Sequence, residues 1–245
     1  MRKFVALLAV MAAVGMVAAV PAMAQLPDTS VKVDAKVSPK KAGTKKKPKG
    51  INLSGKVTWT TEVGFEPPVI TGATVFISKG GRYNGGSHAK CSKKKLQRDG
   101  GPNNCPKKSI VGKATGLALA DTVPTKPKVV IVNGGATSAF LYTTLYHPAL
   151  VQEPVPVKIK KQTGKWAYRM DITVPENLLI VAGVPIALKT FNFEVGKSGK
   201  RPWAKNYIQT TSCPKGGWTF DLETRYRYND GSTSSSQYGD SVPCS

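Results

Sequence analysis

Along most of this chain apolar and polar residues alternate with a period of two. Val31, Val33, Ala35 and Val37 interleave with Lys32, Asp34 and Lys36, and Ile51, Leu53, Val57 and Trp59 share one face against Asn52, Ser54, Lys56, Thr58 and Thr60. Trp166, Tyr168, Met170, Ile172 and Val174 oppose Arg169, Asp171 and Thr173. Phe191, Phe193 and Val195 oppose Thr190, Asn192 and Glu194, and Trp218, Phe220, Leu222, Tyr226 and Tyr228 oppose Thr219, Asp221, Glu223, Arg225 and Arg227. Further strands are expected at Ala73–Ile77, Ile110–Leu119, Val129–Val132, Ala139–Tyr146 and Val155–Ile159, with turns at Asn133-Gly134-Gly135, Gln162–Lys165 and Asn229-Asp230-Gly231. One buried and one wet face per strand is the mark of antiparallel sheet, so about eleven or twelve strands predict an all-β, antiparallel β-sandwich of jelly-roll or immunoglobulin-like type.

Three stretches break the alternation. Ser92–Arg98 reads as a helical turn with Ser92 as its cap and Gly100 just past its end. Pro175–Ala187 is apolar but interrupted by Gly183 and Pro185, and reads as a loop with one helical turn at most. Residues 38–50 hold six lysines, Lys40, Lys41, Lys45, Lys46, Lys47 and Lys49, with Pro39, Gly43 and Pro48, and read as a solvated, flexible loop.

The first 24 residues have another pattern. Arg2 and Lys3 precede an unbroken apolar run, Phe4–Val20, and Pro21-Ala22-Met23-Ala24 ends in a small-x-small pattern. This is the layout of a secretory signal peptide cleaved after Ala24. The rival reading, an uncleaved anchor, asks for ~20 apolar residues, a little more than the run supplies. Residues 25–245 then form a single secreted domain, with no second apolar segment of spanning length. Of a net charge of +22, cleavage removes two positive residues and leaves about +20.

Export gives the four cysteines, Cys91, Cys105, Cys213 and Cys244, a disulfide role. Three pairings are open. The local one, Cys91–Cys105 with Cys213–Cys244, is favoured because each bond closes a short polar loop or hairpin. Zinc is disfavoured: Lys90, Lys93, Lys94, Lys107 and Lys108 crowd the first pair, there is no CxxC, and the chain has two histidines in all.

Those histidines, His88 and His147, have no nucleophile motif beside them, and no G-x-S-x-G occurs. Gly196-Lys197-Ser198 is like the end of a P-loop, but Phe191 stands where the upstream glycine belongs. Asp171, Glu194, Asp221 and Glu223 sit on polar faces near arginines, where a cross-strand ladder of ion pairs accounts for them more simply than a glycosidase pair. The residues therefore suggest no catalytic, cofactor or metal site.

Charge is the remaining chemistry. Lysine supplies 29 of the 36 basic residues and clusters at 40–49, 90–98, 158–161 and 197–205. Specific nucleic-acid readers favour arginine and stacking aromatics, and the aromatics here fall on core faces. An exported cation meets anionic wall or matrix polymer first. The alternative is a surface that only keeps the protein soluble.

Cys91, Leu96, Gly100, Cys105-Pro106, Ser109, Val111-Gly112 and Ala114, with the closing Tyr207…Cys213…Gly217-Trp218…Cys244 block, resemble a group of secreted β-rich proteins of high-GC Gram-positive bacteria with no known activity. The likeness implies an extracytoplasmic β domain over roughly Val31–Ser245 and carries no functional residue with it. The expectation is a secreted, non-catalytic structural or binding protein of the cell envelope. Its alternative is a module that binds polyanions through Lys40, Lys41, Lys45, Lys46, Lys47 and Lys49; a carbohydrate- or wall-active enzyme is the least supported reading.

Overall fold

Alternation becomes strand throughout the computed structural model, which describes residues 26–196 and 201–245; the expected signal peptide lies outside the described residues. The long strands are β1 (Thr29–Ser38), β2 (Lys49–Thr61), β3 (Val69–Ser78), β5 (Ile110–Ala120), β7 (Lys128–Asn133), β8 (Ser138–Leu145), β9 (Val151–Lys161), β10 (Trp166–Thr173), β12 (Val184–Gly196), β14 (Trp218–Arg227) and β15 (Thr233–Val242). Four short ones, β4 (Gly81–Tyr83), β6 (Val123–Thr125), β11 (Ile180–Val181) and β13 (Ile208–Thr210), pair onto their ends.

All pairing is antiparallel and follows one path, β15-β14-β3-β10-β9-β8-β7-β5-β12-β2. Beyond β2 the path divides. β1 runs along Asn52–Thr61, while β13, with β4 outside it, takes up Lys49–Ile51. The path folds over on itself, so the two layers of the sandwich belong to one open sheet. Val31 and Val33 of β1 and Val57 of β2 pack on Leu222 of β14, with Val75, Phe191 and Phe193 filling the gap. The indole N–H of Trp59 on β2 donates across this interior to Thr224 of β14 at 3.2 Å. Side chains that alternate along strands thus meet face to face, which is what buries them. Two apolar cavities remain inside, one of about 170 Å³ among Ile70, Leu141, Leu145, Leu179 and Ile186, the other of about 160 Å³ among Val57, Ile77, Phe193, Trp218 and Leu222.

The helical turn predicted at Ser92 is present as α1 (Lys93–Leu96), with Ser92 Oγ accepting from the Lys95 N–H at 3.4 Å. Pro175–Ala187 departs from expectation. A helical turn, α2 (Glu176–Leu179), leads into β11, and the chain reverses at Ala182 (φ 51°) and Gly183 (φ 80°) so that β12 begins at Val184. Pro185 is tolerated in this strand because β11, which faces it there, is a two-residue edge. Lys49 and Gly50, expected in the lysine loop, start β2.

The registers sort every connection to one of two ends. Thr29, Thr61, Val69, Ala120, Lys128, Leu145, Val151, Thr173 and Arg227 terminate strands at one end; Ser38, Ser78, Ile110, Asn133, Ser138, Lys161, Trp166, Trp218 and Val242 do so at the other.

Candidate functional site at the lysine-rich end of the sandwich

Connections 39–48, 79–109, 134–137, 162–165 and the described part, 201–217, of the connection after β12 all lie at the second end, and with them most of the described loop lysines. Lys40, Lys41, Lys45, Lys46 and Lys47 are exposed on the first of these loops; Lys90, Lys93, Lys94, Lys95, Lys107 and Lys108 are exposed on the second; Lys165, Lys205 and Lys215 add to them. Asp99 is the one acidic residue in these connections. Lys49 is half-buried at the start of β2, where its carbonyl accepts from Thr210 Oγ1 at 3.5 Å. Residues 197–200 of the expected 197–205 cluster lie outside the described residues.

The backbone of the 39–48 loop is held on both sides. Ala42 N–H donates to the Ser245 carbonyl at 2.6 Å and Ser245 N–H to the Lys40 carbonyl at 3.1 Å. Gly43 N–H donates to Thr210 Oγ1 at 3.3 Å, and a turn closes from Thr44 to Lys47, whose N–H reaches Thr44 Oγ1 at 3.0 Å. Three lysine side chains therefore project from a tied turn. Cys213–Cys244 holds the C-terminal partner of this loop in place. The second disulfide, Cys91–Cys105, closes the α1 loop, where Leu96 is the apolar anchor among lysines, fully buried with Val132, Phe140 and Tyr142. Both pairings are the local ones expected from the sequence.

Under these loops lies a polar cluster that alternation did not announce. Asn133, fully buried at the end of β7, donates to the carbonyls of Gly85 and Ala89 at 2.9 Å each and accepts from Gly135 N–H and the Tyr83 hydroxyl at 3.1 Å. The Tyr83 and Tyr207 hydroxyls are 3.1 Å apart, and His88 meets the Tyr207 ring edge-on at 5.4 Å. Burial pushes the Tyr207 phenol well above its ordinary pKa, with Tyr83 adding to the effect. Tyr83 is raised by burial as well, against an opposing hydrogen bond from Tyr207. Both phenols stay protonated at neutral pH and serve as hydrogen-bond partners, not as bases. Asn133-Gly134-Gly135 marks the turn in the sequence, and the turn is there, but nothing in the sequence marks the Asn133 side chain as buried.

The carboxylates fall where alternation put them, on outer faces. Asp171 accepts from Arg169 Nε at 2.7 Å and Thr74 Oγ1 at 3.3 Å and lies 3.6 Å from Lys160. Burial alone would raise its pKa, but the hydrogen bond and charge of Arg169, with Lys160 and Thr74, hold it below the usual carboxylate range. Arg225 continues the row, donating to Thr74 at 3.0 Å and standing 3.8 Å from Glu223, and Arg201 pairs with Glu194 at 3.5 Å. Asp171, Glu223 and Glu194 are each engaged by a cation, whereas Asp221, expected in the same ladder, accepts instead from the Gln237 amide at 2.7 Å. His147 is exposed on the β8–β9 connection at the opposite end from His88. Among the described residues no group of three His, Cys, Asp or Glu side chains could hold a metal ion.

No family model matches the chain, and no curated protein matches it. Among solved structures it is similar to the T6 backbone pilin of serotype M6 Streptococcus pyogenes, a modular three-domain protein decorated with variable loops and extensions. The identity is 10% and the TM-score 0.31, over 86% of this chain and 36% of the pilin chain. The chain thus spans about a third of that pilin's length, and a likeness of this strength carries no weight for function.

Proposed function

We propose that this is a secreted, non-catalytic structural or binding protein of the cell surface that holds anionic wall or matrix polymer through its lysine-rich end. The carrying observation is convergence: lysine loops separated by long stretches of sequence meet at one end of the sandwich, on frameworks closed by two disulfides. Disulfides of this kind belong to an oxidising compartment, in keeping with export. Lysine suits an irregular polymer. It is a hydrated point charge on a flexible stem, attracts phosphate or carboxylate without demanding a fixed geometry, and gains by number. Asp171, Glu194 and Glu223 are already paired with cations and Asp221 is bonded to Gln237, so the candidate carboxylates are engaged while the loop lysines stand exposed.

The test is retention on heparin or immobilised teichoic acid, comparing the native protein with Lys45→Gln/Lys46→Gln/Lys47→Gln. Retention of the native chain should fall steeply as salt rises, because the bound polymer's counterions are released on contact. The triple variant should elute markedly earlier. Unchanged elution would remove this turn from the binding surface, and failure of the native chain to bind at low salt would sink the reading altogether.

A further inference from the structure

The end of the sandwich opposite the lysines is its chemical complement. Every large apolar side chain exposed among the described residues sits there: Leu26, Val63 and Phe65 beside the β1 and β2 termini, Val123, Tyr146 and Leu150 on neighbouring connections, and Ile180 on β11. Val63 is 97% exposed and Phe65 51%, at the tip of the 62–68 loop. The same connections carry Asp28, Glu62, Glu66, Asp121, Glu176 and Asp230, all exposed, against the single lysine Lys126. Of these, Glu176 is paired with Arg227 and Glu66 is bonded to Asn229. Asp28, Glu62 and Asp121 make no ion pair among the described residues. A concavity of about 280 Å³ lies beside Phe65, walled by Leu26, Pro68 and Tyr228.

Exposed apolar side chains ringed by charge of one sign mark a surface that meets a partner of the opposite sign. In a chain this basic, concentrating six carboxylates at one end is a departure from composition that a merely solubilising surface does not need. The geometry points to a second copy of this chain as the partner: the acidic, apolar end of one molecule docks on the lysine-rich end of the next. The two ends face away from one another across strands of ten residues, so they lie roughly 30–35 Å apart at ~3.3 Å per residue. Two copies therefore cannot satisfy both ends at once in a two-fold pair. The contact is head-to-tail and repeats, giving a row of molecules. The large net positive charge of each copy does not forbid it, because at physiological ionic strength charges beyond ~8 Å are largely screened and only the facing loops count.

The inference stands apart from polymer binding, and the experiment separates the two. Sedimentation of the secreted protein at physiological ionic strength should show mass rising with concentration through dimer, trimer and longer species. Val63→Ser/Phe65→Ser should weaken this about tenfold or more while leaving heparin retention as in the native protein; Glu62→Lys/Asp121→Lys, which spares the apolar tip, should weaken it likewise without lowering heparin retention, since it adds positive charge. Lys45→Glu/Lys46→Glu/Lys47→Glu should lose both properties. Melting curves check that each variant folds. The decisive arm mixes the Glu62→Lys/Asp121→Lys and Lys45→Glu/Lys46→Glu/Lys47→Glu proteins. Each retains one intact end, so together they should form capped dimers and nothing longer. A native protein that stays monomeric at every concentration, a Lys→Glu variant that self-associates undiminished, or a mixture that gives no dimer overturns the proposal.

Discussion

The two ends of one sheet are built by different means. At the lysine-rich end the connections are long, 79–109 and 197–217 above all, and are held by two disulfides and the buried Asn133 cluster. At the opposite end the connections are shorter, 62–68, 121–127, 146–150, 174–183 and 228–232, and carry Pro67, Pro68, Pro124, Pro127, Pro148 and Pro175. Their ties are hydrogen bonds, such as Glu62 N–H to the Asp28 carbonyl at 3.0 Å and Tyr228 hydroxyl to the Pro27 carbonyl at 2.8 Å, and the Arg227–Glu176 pair at 2.6 Å. The difference follows from charge and loop length. Gathering like charges on long loops opposes folding through their mutual repulsion and through loop entropy, so that end needs cross-links and a buried polar anchor. Short proline-bearing turns lose less entropy and hold with hydrogen bonds and an ion pair, without a cross-link.

The largest effect should come from cutting the covalent frame of one end only. Set 31 positions apart, Cys213 and Cys244 contribute about 3.7 kcal/mol on the chain-entropy account, and Cys91 and Cys105, 14 apart, about 3. Denaturant unfolding of Cys213→Ser/Cys244→Ser should show a loss of that order. Amide exchange at Ala42 and Ser245 should quicken while residues 62–68 and 228–232 keep their protection. Equal loosening at both ends would mean that the two frameworks are one.

A smaller but sharper break is Asn133→Ala. It strands the carbonyls of Gly85 and Ala89 and the N–H of Gly135 without their partner in a buried place, at a cost of about 3 kcal/mol. The α1 loop should loosen with it, since Cys91 N–H donates to the Asn133 carbonyl at 2.9 Å next to the disulfide. A melting midpoint unmoved by the substitution would show that the cluster is incidental to how this end is held.

How much of this was legible in the sequence depends on distance along the chain. Alternation placed Val31 to Val37, Tyr168 to Ile172 and Trp218 to Tyr226 on the correct faces, because burial in a sheet is a local, period-two property. Trp166, expected on the face of Tyr168, is turned by a bulge between the two onto the face of Arg169, where its ring lies 5.6 Å from that of Phe76. The Ser92 cap and the Leu96 anchor were equally local. Which strand neighbours which was not readable: β3 is held between β10 and β14, with Val75 facing Met170 on one side and Leu222 on the other, and nothing within β3 names either partner. Val184–Ala187 was hidden by Gly183 and Pro185, which end strands when the neighbour is long and do not when it is two residues. The lysine clusters were visible one by one. Their meeting at a single end, and the carboxylates meeting at the other, are consequences of topology, since only the antiparallel order assigns each loop a side.

The finest distinction is between what shapes the lysine turn and what charges it. Gly43 lies where a Cβ would stand 2.6 Å from the Thr210 carbonyl and 2.7 Å from that of Lys47, and against the backbone nitrogen of Lys49. These are backbone atoms of two segments, 47–49 and the one through Thr210, that cannot both give way. Gly43→Ala should therefore cost about 2 kcal/mol and displace the turn, much as overpacking does in a core. Lys45, Lys46 and Lys47 are exposed, and the bonds that form the turn are made by backbone groups and by Thr44 Oγ1. Replacing all three with glutamine should leave the melting midpoint where it is, since exposed side chains away from caps and cores contribute little to stability. Shape and charge then separate cleanly: Gly43→Ala lowers stability with every lysine in place, and the glutamine variant keeps the fold without the charge. If the glutamine variant instead melts higher, repulsion among the lysines is a standing strain on this end, and the disulfides are needed to offset it.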